Sequence, residues 1–170
     1  MSSSLFETAF AHHVWATLRL IDACTGRSAE ELETSVPGTR GPILDTLRHI
    51  AAGDAFELSV LTGDRAFDID AEHMSLAEVR TVMERNRSEW AAFVSRPLDP
   101  DAVVREIDET DGFERWAPIG FRLASALEHG TDHRSQICTA LTTLGVQPPP
   151  IDVFNFGLDT GQVVERLPNA

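Results

Sequence analysis

The stretch Ala126-Leu-Glu-His129-Gly-Thr-Asp-His133-Arg-Ser-Gln136-Ile137 decides how this chain is read. Its two histidines are four residues apart, and on a helix of about 3.6 residues per turn such positions share a face. At about 100° per residue, Ala126, His129, His133, Ile137, Ala140 and Leu144 fall within a stripe roughly 80° wide. The histidines thus belong to the apolar, inward-looking stripe. A third histidine, His49, aligns with Gly53, Phe56 and Val60 on another helical segment, again a buried-looking face, and Gly53 leaves room one turn beyond it. A buried imidazole needs a hydrogen-bond partner or a metal. Three charged imidazoles together would repel, and three neutral ones hold lone pairs in need of partners. Three imidazole nitrogens would bind a divalent ion and leave a position open for water or substrate, as in catalytic sites.

Working outward, the apolar spacing predicts four long helices. The first covers Ser4 to Cys24 and stops at Gly26; the second covers Ile43 to Leu61 and carries His49. The third runs from Ser75 to about Ser95, before Pro97, and the fourth from Pro118 to Leu144, ended by Gly145. A short turn at Ser28–Leu32 and the third helix each open with a capping box, Ser28 with Glu31 and Ser75 with Glu78. Residues 103–107 and 113–117, divided by Asp111-Gly112, suggest a small β-hairpin, and a last helix is expected over much of Asp152 to Glu165. The expected fold is all-α: a four-helix bundle with short extra helices, in a single domain of residues 1–170. Such bundles place metal ligands on facing helices.

Composition narrows the function. The net charge of −13 argues against a phosphate-binding surface, so no nucleic-acid partner is expected. No segment is apolar for long enough to span a bilayer, and residues 1–7 do not read as a signal peptide, which makes the cytoplasm the expected location. Two cysteines, Cys24 and Cys138, without CxxC spacing, read as packing residues, so metal chemistry falls to histidine.

The other polar residues divide as follows. His12, His13 and His73 read as structural or surface residues. Gly130 stands where a zincin motif needs glutamate as general base, which disfavours peptide hydrolysis by that arrangement. Gln136 borders the ligand stripe, either as a contact to substrate or water or as a surface amide. Arg134 reads as half of a structural ion pair. Asp45 and Glu57 are candidate carboxylates to orient His49.

Three stretches carry a family resemblance: Trp15-Ala-Thr-Leu-Arg-Leu20, Ile43-Leu-Asp-Thr-Leu-Arg-His49-Ile50, and His129-Gly-Thr-Asp-His133-Arg-Ser-Gln136-Ile137, continued by Leu141-Thr-Thr-Leu-Gly145 and Pro148-Pro-Pro-Ile-Asp152. Together they resemble the DinB-like (DinB/YfiT) superfamily of metal-binding four-helix bundles over nearly the whole chain. The resemblance implies His49, His129 and His133 as the metal ligands. Thr17 departs from it, since the family often has Asn there. The resemblance leaves the reaction open. Some relatives are transferases using the low-molecular-weight thiols mycothiol, bacillithiol or glutathione, some resemble metal-dependent hydrolases, and many have no assigned activity. The leading expectation is a metal-dependent thiol transferase; the alternatives are a hydrolase and a non-catalytic, stress-associated metal-binding protein. Three histidines suit Zn, Ni, Fe or Cu. The expected partners are a small-molecule substrate and, as a homodimer, a second copy of the chain.

Overall fold

A computed structural model describes residues 4–107 and 112–167. The elements follow the apolar spacing: α1 (Leu5–Cys24), α2 (Ala29–Leu32), α3 (Ile43–Thr62), a 3-10 turn (Arg65–Phe67), α4 (Leu76–Val94), β1 (Val103–Ile107), β2 (Glu114–Pro118), α5 (Ile119–Thr143) and α6 (Val153–Asp159). Around the bundle, α1 packs on α4 and α5, and α3 packs on the same two helices. No described helix is long and apolar enough to cross a membrane.

Local chemistry sets the helix ends. Ser28 and Ser75 form the expected capping boxes, each serine oxygen accepting from the backbone three residues on while that residue's glutamate accepts from the serine N–H. Ser4 and Glu7 form a third box at the start of α1. Helix α3 ends where Gly63 takes a left-handed conformation (φ 72°), an inexpensive choice only for glycine.

One apolar core joins the four long helices through Phe10, Leu20, Leu47, Ile50, Leu58, Met83, Trp90, Ile137 and Leu141, all nearly inaccessible. Phe10 of α1 stacks on Trp90 of α4 with ring centroids 4.3 Å apart.

The hairpin exists, with its second strand one residue later than the spacing suggested. Val103 pairs with Pro118 and Ile107 with Glu114. Of the expected turn pair, Asp111 lies outside the described residues. The inward residues of this pair include Ala117 and, unusually, the carboxylate of Glu106. Glu106 meets buried Arg122 of α5, which ties the hairpin to the bundle. Helix α6 is shorter than expected. Asp152 caps its start, but Gly161 turns left-handed (φ 72°) directly after Thr160 and stops the helix well before Glu165.

Candidate metal centre

Helix α3 presents His49 in its second turn, and α5 presents His129 and His133 on consecutive turns, in the seam where these two helices pack. The three rings stand edge to face, with centroids 4.7, 4.8 and 4.6 Å apart. His49 Nε2 and His129 Nε2 are 2.9 Å apart, and one ring nitrogen from each histidine lies within 4.8 Å of the others. An ion with nitrogen bonds of about 2.0–2.1 Å holds tetrahedral ligand atoms about 3.3 Å from one another, so this spacing fits one ion. Among the described residues, these three form a group that could hold a metal, and no carboxylate or thiolate joins it.

Two glycines make the convergence sterically feasible. A Cβ on Gly53 would lie 2.7 Å from His129 Cε1, so the missing side chain is the space the imidazole occupies. A Cβ on Gly130 would lie 2.2 Å from His13 Cε1, which explains why glycine follows the first ligand-type histidine of α5. Gly53→Ala is therefore expected to push His129 out of line and lower zinc affinity at least tenfold, read by competition with a chromogenic chelator, while the far-ultraviolet circular dichroism stays helical. Unchanged affinity would show that His129 does not need this space.

Gln136 orients His133. Its Oε1 lies 3.1 Å from His133 Nδ1 and 2.9 Å from the backbone N–H of Arg40, while its Nε2 donates to Asp132 at 3.0 Å. The Asp132 bond fixes which end of the amide is which: Oε1 accepts from His133 Nδ1–H, leaving Nε2 of that ring as the free ligand atom. The same oxygen pins the loop before α3 to α5. The carboxylates singled out as candidate orienters are placed otherwise. Asp45 pairs with Arg48 at 2.7 Å and Glu57 faces Arg122 at 3.5 Å.

The electrostatics favour neutral rings. Burial, then the charge of Arg40 and the neighbouring imidazoles, lowers His49 to about 4. Burial and His133 also lower His129. At neutral pH these nitrogens keep the lone pairs a metal needs. Burial pushes Cys24 up to about 11 and raises Cys138, so both remain thiols.

Behind the centre lies a buried polar network that spacing alone did not assemble. His13 Nε2 donates to both carboxylate oxygens of Asp54 at 2.9 and 3.0 Å, and its Nδ1 accepts from Arg134 Nη1 at 3.1 Å. Arg134 also reaches the His13 carbonyl and Thr17 Oγ1, each at 3.4 Å. The ion pair expected of Arg134 is thus relayed through a histidine, and Thr17 serves this network. Asp54 was the missed residue. Its signal was a carboxylate in the apolar row Leu47, Ile50, Ala51, Leu58. Of the remaining histidines, His12 bonds the Ile151 carbonyl at 2.7 Å and His73 is exposed.

A pocket of about 420 Å³ opens beside the centre between α3 and α5, walled by His49, Gly53, Phe56, Glu57, Ser125 and His129. On the other side of His49, a second pocket of about 360 Å³ is bordered by Arg40, Asp45, Arg48 and Glu72. A comparison with curated proteins finds no significant match. The family model described as DinB family matches residues 1–160, a span that includes all four long helices and the three histidines. The chain belongs to the DinB family.

Proposed function

We propose that this protein binds one divalent metal ion through His49, His129 and His133 and acts as a metal-dependent enzyme that transfers a low-molecular-weight thiol. The observation that carries the reading is the convergence of three imidazoles beside a pocket, with no fourth thiolate or carboxylate from the described residues to close the sphere. An ion held by three protein ligands leaves room for an exogenous group, whereas structural sites have four. When bound, the metal would supply Lewis acidity, lowering the pKa of a coordinating thiol and holding it as thiolate. The protein's own residues contribute positioning. Gln136 orients His133, Gly53 admits His129, and the pocket beside His49 and His129 gives a reactant room to approach. Neither cysteine is a competing nucleophile, because both thiols are held protonated by burial.

The test combines metal analysis with a conjugation assay supplying mycothiol, bacillithiol or glutathione and a generic electrophile. His133→Ala is expected to abolish metal retention and turnover together, while Cys24→Ser and Cys138→Ser leave turnover within about twofold, since the attacking sulfur comes from the small molecule. Turnover lost in Cys138→Ser with fold and metal intact would overturn the mechanism. No turnover with any thiol in metal-loaded protein would redirect the assignment to a hydrolase or a non-catalytic metal site.

A further inference from the structure

Glu57 stands two turns beyond His49 on α3, about 12 Å along the axis at 1.5 Å per residue, and walls the same 420 Å³ pocket as His49 and His129. It is poorly matched by its protein neighbours. Two carboxylates, Glu57 and Glu106, face the single guanidinium of Arg122. Glu106 holds the stronger claim, accepting from Arg122 Nη2 and lying 3.6 Å from Arg115 Nη1. Glu57 keeps only a 3.5 Å approach of its Oε1 to Arg122 Nη1. Its Oε2 is shielded from solvent and has no hydrogen-bond partner among the described residues. Burial raises this carboxyl to about 7 against the pull of Arg122, with help from the negative charges of Glu106 and Asp54. Buried polar atoms are nearly always satisfied, and an exception on a residue that lines a pocket calls for a partner. The unpartnered atom is a carboxyl oxygen, an acceptor, so the missing partner is a donor, and a cationic donor would best hold a buried carboxyl in its ionised form. The terminal torsion of glutamate is broad, so a modest rotation presents either oxygen to the pocket.

We infer that Glu57 recognises the cationic amine of a small ligand whose other end reaches the histidine centre. The wall between the two ends, Ala52, Gly53, Phe56 and Ala126, suits an apolar stem. Placement of the ligand's head rests on the metal-site reading proposed above; recognition of its amine tail does not. The substrate class is therefore a small molecule with an ammonium group separated by an apolar spacer from a metal-seeking group.

The probes are straight-chain aminothiols of two to eight carbons and the hydroxythiols of matching length, titrated calorimetrically into zinc-loaded and metal-free protein. At the best chain length the aminothiol is expected to bind at least tenfold more tightly than the hydroxythiol. In Glu57→Gln that preference falls to about one, with zinc stoichiometry retained. The variant keeps its fold because Arg122 still has Glu106. Equal affinity of aminothiol and hydroxythiol for the native protein at every length would overturn the inference without need of the variant. So would a preference that persists in a folded Glu57→Gln. A failure of the metal reading looks different: zinc and the thiol contribution disappear for all probes, while the preference for the amine remains on metal-free protein.

Discussion

Replacing Asp54 with alanine is expected to destabilise the protein by about 3–5 kcal/mol, the usual cost of removing one partner from a buried ion pair. For a chain of this size that is a fall in melting temperature of roughly 6–20 °C. Asp54 is 1% exposed and Arg134 3%, so without the carboxylate a guanidinium stays in the core with only His13, Thr17 and Thr131 oxygens and nitrogens around it. His13 at the same time loses the acceptor for its Nε2–H. Asp54→Asn removes the charge but keeps an acceptor for His13, and its loss should be smaller than that of the alanine variant. Urea denaturation of both variants measures the difference. A cost below about 1 kcal/mol for Asp54→Ala would mean that water replaces the carboxylate and that the network is not buried in the sense described.

The second large effect follows from the proposed metal site. Its candidate ligands lie on α3 and α5, which are far apart in sequence, so an ion bound there only in the folded chain would clamp the two helices. At a free metal concentration one hundred times Kd the added stability is about 2.7 kcal/mol, or roughly 5–11 °C in Tm. His129→Ala should remove this increment. Without metal, the histidines act on stability in the opposite sense. His49 falls from its ordinary 6.5 to about 4 on folding, so between those values the unfolded chain takes up a proton that the native site refuses. The stability of the metal-free protein relative to His49→Gln should therefore decline as pH drops from 6.5 to 4 and level off below. A relative stability that rises over this window would reverse the sign and show that the ring is charged in the folded state.

Much of this was legible before any coordinates. Amphipathic spacing located the four long helices because each must bury one apolar face, and the i, i+4 histidines shared that face by helix geometry alone. Gly53 was read as leaving room beyond His49, and the ring of His129 fills it, although Phe56 in the same row, read as buried, is 40% exposed. What spacing along a single helix cannot supply is the partner across the bundle. Gln136 looked equally like a substrate contact and a surface amide until its bonds to His133 and Arg40 were located. His13 read as a structural or surface residue and Arg134 as half of an ion pair without a named partner, because Asp54, which unites them, sits on a third helix. The bounds of β2 lie one residue later than spacing placed them, and spacing did not foresee that β1 buries Glu106, a carboxylate that meets the buried Arg122. The last helix ends short of the expected Glu165 because Gly161 turns left-handed after Thr160.

The most direct measurement is the metal content of the purified protein after dialysis against a divalent-metal mixture, compared with the His49→Ala, His129→Ala double variant. A histidine centre of this geometry predicts one ion per native chain, released by a strong chelator with a fall in Tm, and none retained by the variant. Native protein that takes up no metal, or a folded double variant that retains one ion per chain, would contradict it.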